Sequence, residues 1–240
     1  MTAMRLAMWS GPRNLSTALM YAFAARGDTA VWDEPFYAAY LAATGLLHPL
    51  RDEVIAAGVT DPCAVAAACA GPVPEGQRVF YMKHMCQHMI GGFPRDFMAE
   101  CTNVFLIRHP ARVIASYTAK RENPTAADLG VALQSDLYDA ACAVQHMVPV
   151  VDTTALRADP AGVLERLCDT IGLDFRPAML RWPSGGYPAD GVWAPHWYGA
   201  VHRSTGFDAP EGPLPQVPEA LRPLLDEALP HYERLLREAL

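Results

Sequence analysis

The chain is expected to adopt an α/β fold, a three-layer α/β/α arrangement around a mainly parallel central sheet. Three observations lead there. The N-terminal stretch places a helical pattern between two apolar runs, the signature of a βαβ unit with a right-handed crossover. Further short apolar runs follow at Arg78–Met82, Asn103–Ile107 and Val148–Val151, with helical patterns between them. Charged or hydroxyl residues stand directly after the runs, as they do where parallel strand ends open onto a ligand crevice.

The elements are read in order. Residues 4–10 contain Leu6-Ala7-Met8-Trp9, a buried strand that Gly11-Pro12 breaks. A helix over about 14–26 and a strand at Thr29–Asp33 follow. After Glu34-Pro35-Phe36-Tyr37, an alanine- and aromatic-rich helix runs to about Leu47. Residues 48–77 are looser, with a short helix after Asp61-Pro62 and a turn over 71–76. The third strand is Arg78–Met82, with Lys83 directly after it, then a helix through Met89 and a break at Gly91-Gly92. The fourth strand, Asn103–Ile107, leads to Pro110, which suits the first turn of a helix reaching about Lys120. A long helix over Ala126–Met147, a fifth strand at Val148–Val151 and a helix at Pro160–Ile171 complete the pattern. Residues 176–218 are rich in Gly, Pro, Trp and Tyr, including Trp182, Trp193, Trp197 and Tyr198, and read as a lid or acceptor-site segment. An amphipathic helix occupies 219–240. The whole of 1–240 is read as a single domain.

Composition narrows the function. At 240 residues and 51% hydrophobic content the chain can bury a sizeable core. Its formal net charge of −7 argues against general affinity for nucleic acid or acidic membranes. An anion site must then be a local basic cluster, for which Arg13, Lys83 and Arg108 are the candidates. The six cysteines form no Cys-x-x-Cys pair and no tight His/Cys cluster. They read as reduced, mostly buried thiols of an intracellular protein, with no zinc site. Leu15–Ala25 has the apolarity of a signal peptide, but Gly11-Pro12-Arg13-Asn14 interrupts it, so a core helix is favoured. With no apolar stretch long enough to span a bilayer, a cytoplasmic location is expected. Association as a homodimer is left open.

The densest chemistry lies at residues 8–17. A strand that turns sharply into a helix presents free backbone N–H groups and a positive dipole end to an anion. Ser16 and Thr17 add hydroxyls, and Arg13 adds a cation. The usual nucleoside-triphosphate loop ends in Gly-Lys-Ser/Thr, whereas Leu15-Ser16-Thr17 stands here without a lysine. If the strands are parallel, Arg13, Glu34, Lys83 and Arg108 share one sheet edge, a constellation for an anionic substrate with a carboxylate base beside it. Bland readings compete. Glu34 is also a glutamate before Pro35 near a helix start, stabilised by the dipole. Lys83 is also a residue flanking a strand. His84 and His88, four apart, would share a helical face as base or substrate contacts, or as half a zinc site lacking a third ligand.

These residues resemble a known family. Gly11-Pro12-Arg13-Asn14-Leu15-Ser16-Thr17 resembles the 5′-phosphosulfate loop of the sulfotransferases. Arg108-His109-Pro110-Ala111-Arg112-Val113-Ile114-Ala115-Ser116 is similar to their 3′-phosphate motif, an arginine followed eight residues later by a serine. Thr153–Pro160, then Leu164, Leu167-Cys168 and Gly172-Leu173, is similar to the segment that precedes their late helix. The resemblance spans most of residues 5–175 and extends to bacterial sulfotransferase-like proteins. It implies a P-loop NTPase-like fold and the donor 3′-phosphoadenosine 5′-phosphosulfate, with no metal required. Gly11, Pro12, Arg13, Asn14, Leu15, Ser16 and Thr17 would hold the 5′-phosphosulfate; Arg108 and Ser116 would hold the 3′-phosphate. Glu34, or else His84 or His88, would be the base, and Arg13 and Lys83 would offset the negative charge growing on the bridging oxygen of the leaving phosphate. The late Arg-Lys-Gly loop of cytosolic members is absent, and Arg203, Ser204, Thr205 and Gly206 are read in its place. Ala18 stands where an adenine-stacking aromatic is common.

The expected activity is sulfuryl transfer to a hydroxyl or amine of a small-molecule acceptor. The rivals are an ATP-dependent small-molecule kinase, against which the missing Gly-Lys pair counts, and a pyridoxal-phosphate aminotransferase with Lys83 as the Schiff-base lysine. A further rival is a nucleotide-binding protein without turnover.

Overall fold

The computed structural model describes residues 3–118 and 124–240. In chain order the elements are β1 (Met4–Ser10), α1 (Ser16–Ala24), β2 (Thr29–Asp33), α2 (Tyr37–Thr44), α3 (Arg51–Ala57), α4 (Pro62–Cys69), β3 (Val79–Met85) and β4 (Thr102–Ile107). There follow α5 (Pro110–Thr118), α6 (Ala126–Leu129), α7 (Val131–Val144), β5 (Val150–Asp152), α8 (Thr153–Ala158), α9 (Pro160–Ile171), α10 (Ala194–Trp197) and α11 (Arg222–Leu236). The five strands form one parallel sheet in the order β2-β3-β1-β4-β5.

Alternation along the strands builds the layers. From β1, Leu6 and Met8 join Val79, Tyr81, Val104 and Leu106 under α1, α8 and α9. Ala7 and Trp9 join Phe80, Met82, Phe105 and Ile107 on the other face, under α4, α7 and α11. The strands are covered on both faces, which is why they read as nearly continuous apolar runs. β1 is central, with β3 on one side and β4 on the other. The chain changes sides of β1 between β3 and β4, and the carboxyl end of such a switch point is where open parallel sheets bind ligands.

Several expectations are corrected. β3 runs to Met85, so Lys83 and His84 lie within the strand rather than after it. The helix expected through Met89 is a single 3₁₀ turn, Cys86–His88. The helix expected over 126–147 divides at Gly130, whose φ of 66° is left-handed. A Cβ at that glycine would lie 3.2 Å from Gln87 Cβ, so the 3₁₀ turn packs directly against the break. α3 and α8 form where no helix was expected; Asp152 caps α8, accepting from the Thr154 and Ala155 amides at 2.9 and 3.2 Å. The fifth strand is displaced to Val150–Asp152. The helix from Pro110 is seen to Thr118, and the rest of its expected span lies outside the described residues. Among the described residues no helix is long and apolar enough to cross a membrane.

Candidate active site

The loop after β1 is held in a strained form. Arg13 and Leu15 take φ of 61° and 59°, in the left-handed region that L side chains avoid. Glu34, after β2, takes φ of 47°. Of the four non-glycine residues at positive φ among the described residues, these three line one cavity and Leu50 lies outside it, so the described backbone strain is concentrated at this place. Asn14 fixes the loop to the neighbouring strand, its Nδ2 donating to Leu106 O at 3.1 Å. Leu15 is the N-cap of α1 and provides no side-chain acceptor, which leaves the first-turn N–H groups for an occupant of the cavity.

Three side chains meet beside this helix end. Arg13 Nε donates to Ser116 Oγ at 3.0 Å, and Arg108 Nη1 donates to the Arg13 carbonyl at 2.7 Å. The contacts follow from topology: Arg108 leaves β4, the immediate neighbour of β1, and α5 carries Ser116 back over the loop. Burial and then the nearby Arg108 charge lower the Arg13 pKa from its usual value.

A buried charge cluster closes the other end of the cavity. The parallel register pairs Asp33 of β2 with Lys83 of β3. Lys83 Nζ donates to Asp33 Oδ1 at 2.8 Å, Glu34 Oε1 at 2.6 Å and the Tyr198 hydroxyl at 2.8 Å. Its three N–H groups are thereby used, and its side chain is 1% exposed. The Tyr198 oxygen also accepts from Trp193 Nε1 at 2.9 Å and lies 2.8 Å from Asp33 Oδ2. Burial works against the Lys83 ammonium, but the two carboxylates outweigh it and hold its pKa above the ordinary lysine value. Burial raises the Asp33 carboxyl, against the pull of Lys83 and with a push from Glu34. Glu34 Oε1 is thus tied down, while Oε2 lies 3.9 Å from His88 Nε2. His88 is sandwiched between Tyr37 and Tyr40, at ring distances of 4.6 and 4.8 Å. Burial, with His48 and Lys83 adding to it, holds its pKa well below the usual value, so it is a neutral imidazole.

Pro12, Arg13, Asn14, Leu15, Ser16, Thr17, Glu34, Lys83, His88, Arg108, Ser116, Ser204 and Gly206 all line the one cavity. Gly11 does not. It lies behind the loop, where a Cβ would come 3.0 Å from Leu129 O. Arg203 and Thr205 are exposed and outside the lining. His84 is also elsewhere, because alternation along β3 turns it to the face opposite Lys83. There it stacks on Trp9 at 4.3 Å, its register partner, and lies against Phe36 and Phe97. The two histidines therefore share no helical face. Sequence reasoning gave no role to Asp33 and read Tyr198 only as part of an aromatic-rich lid. A strand pairing that sets Asp33 beside Lys83 would have pointed to the first; nothing local marks the second.

With this geometry the comparisons are consistent. The Sulfotransferase domain family matches residues 4–239, and the chain belongs to that family. Two Arabidopsis thaliana proteins, named branched-chain-amino-acid aminotransferase-like proteins 1 and 2, are 38% identical over 228 residues and 36% identical over 229. These alignments cover 95% of this chain but 40% of each relative, so the chain spans well under half of their length. Among solved structures, the sulfotransferase domain of the curacin biosynthetic pathway is 16% identical with a TM-score of 0.54, covering 96% of this chain and 98% of that one. A sulfotransferase from Alicyclobacillus acidocaldarius is 12% identical with a TM-score of 0.55, covering 100% and 98%. At such identity the likeness shows the shared fold.

Proposed function

We propose that the protein transfers a sulfuryl group from 3′-phosphoadenosine 5′-phosphosulfate to a hydroxyl or amine of a small acceptor. The observation that carries this reading is the sharing of one cavity by Arg13, Arg108 and Ser116 at one end and Glu34 at the other. The α1 N-terminus with Ser16, Thr17 and Arg13 would hold the 5′-phosphosulfate, and Arg108 with Ser116 would hold the 3′-phosphate. Arg108 Nε is buried without a partner, as a site awaiting an anionic acceptor would leave it. The donor supplies the sulfuryl group; the chain supplies position and charge.

Glu34 takes the acceptor proton on Oε2, because Lys83 holds Oε1. Lys83 serves here as the holder of Glu34 rather than as a spare cation for the leaving phosphate, since its three donors are engaged. Arg13 is then the cation nearest the transferred group. The same engagement counts against a Schiff-base role, which needs a neutral, accessible lysine amine.

The test is thermal stability with 3′-phosphoadenosine 5′-phosphate against ATP with magnesium. At ~100-fold excess over Kd the first ligand should add about 2.7 kcal/mol. Greater stabilisation by ATP with magnesium would favour the kinase reading. Arg13→Ala should weaken binding of the 3′,5′-bisphosphate by roughly tenfold to hundredfold, the effect of a lost charge-assisted contact. Unchanged affinity in that variant refutes the role given to Arg13.

A further inference from the structure

The 176–218 segment contributes more than cavity wall. It carries Glu211, a carboxylate whose side chain is only 2% exposed and around which three arginines converge. Arg108 Nη2 pairs with Oε1, Arg112 Nε lies 2.9 Å from Oε2, and Arg157 Nη1 lies 3.4 Å from Oε1. Thr154 Oγ1 adds a hydrogen bond to Oε2 at 3.3 Å. Burial works against this carboxylate, but the arginines outweigh it and hold its pKa below the ordinary glutamate value, so it stays ionised. Glu211 does not itself line the cavity, whereas Arg108 does, and so do Phe207 and Asp208 of the same strap.

The state of Arg108 decides the reading. Its Nη1 donates to the Arg13 carbonyl and its Nη2 to Glu211, while Nε is buried and unpaired. Nε and Nη2 form the side-on fork with which a guanidinium grips a phosphate or carboxylate in two parallel bonds. Here Nε is stranded, which is costly in a buried donor, and Nη2 already carries an internal carboxylate beside any anion that would grip the fork. We propose that Glu211 is an internal anion that a ligand's phosphate must displace from Arg108, so that this strap residue sets the affinity of the cavity's 3′ end. The inference rests on the reading that Arg108 receives the 3′-phosphate. A phosphate dianion gripping the whole fork would repel the carboxylate already on it, and relief requires residues 208–213 to move. A nucleotide without a 3′-phosphate exerts no such demand and leaves the pairing intact.

The experiment measures binding of 3′-phosphoadenosine 5′-phosphate and of ADP by calorimetry at low salt, to the wild type, Glu211→Gln and Arg157→Met. Hydrogen exchange of 208–213 is followed alongside. Glu211→Gln is expected to bind the 3′,5′-bisphosphate about tenfold more tightly than the wild type, with ADP unchanged. Arg157→Met loosens the strap from outside the cavity, should give a smaller gain in the same direction, and carries the test if Glu211→Gln does not fold. Wild-type exchange over 208–213 should rise with the bisphosphate and not with ADP. Affinity that is equal or weaker in the variants, or exchange that falls on binding, overturns the proposal and leaves the sulfotransferase reading standing. If no protein binds the bisphosphate, the proposed function fails instead. Inorganic phosphate then decides the inference: raised exchange over 208–213 in the wild type upholds displacement, and unchanged exchange ends it.

Discussion

Replacing Lys83 with methionine is expected to cost the folded protein about 3–5 kcal/mol, the usual effect of removing one partner from a buried ion pair. The ammonium lies 2.8 Å from Asp33 and 2.6 Å from Glu34, and Tyr198 offers these carboxylates a single further proton. Without the cation, two negative groups face each other in a largely buried site. Urea denaturation measures the loss, and the double variant Lys83→Met/Asp33→Asn should recover a large part of it by removing the charge left unpaired. The pH dependence has a definite sign. Asp33 already has a raised pKa, and losing Lys83 raises it further. A carboxyl raised in the folded state favours folding below its unfolded pKa of ~3.9, and that advantage is lost as pH rises through the folded value. The difference between variant and wild type should therefore shrink between pH 7 and pH 4. A difference that stays constant, or a variant as stable as the wild type at pH 7, would show that Lys83 does not balance these carboxylates.

Acidification from pH 7 to pH 4 is expected to remove about 3 kcal/mol of stability through His84 alone. Burial, with a smaller contribution from His88, pushes the His84 pKa down to about 3. A histidine depressed in the folded state contributes stability that is complete above its unfolded pKa of ~6.5 and is lost as pH falls towards the folded value. The neutral ring is stacked on Trp9 and buried, and its Nε2 has no hydrogen-bond partner. His84→Phe keeps an aromatic ring among Trp9, Phe36 and Phe97 and removes the proton site. It should stay within about 1 kcal/mol of the wild type at pH 7, because no hydrogen bond is lost from Nε2. It should also flatten the acid branch of the stability curve. Chemical denaturation at pH 7 and pH 4 tests both points, and equal acid losses in the two proteins would show that His84 is not the titrating group.

Local pattern carried much of the architecture. β1, β2 and α9 lie where the apolar periodicities and the Pro160 start signal put them. The turn from β1 into α1 was legible too, because a Gly-Pro break between a buried strand and a helix has few structural meanings. Where tertiary contacts choose among locally equal options, the reading failed. Lys83-His84 looks like the end of a strand, yet β3 continues because register sets Lys83 beside Asp33 and His84 beside Trp9. The stretch over 126–147 is helical by composition, but the approach of Gln87 to Gly130 divides it.

Strand and helix identity, and the group of cations at one sheet edge, followed from spacing along the chain, since hydrogen-bonding period and turn chemistry act over a few residues. The pairing of Lys83 with Asp33 and Tyr198, and of Glu211 with three arginines, joins residues 50 to 115 positions apart. Such partners are selected by burial. Once the sheet and the strap exclude water, each charge must meet an opposite charge or a hydrogen-bond donor, and only the folded path of the chain determines which one is within reach.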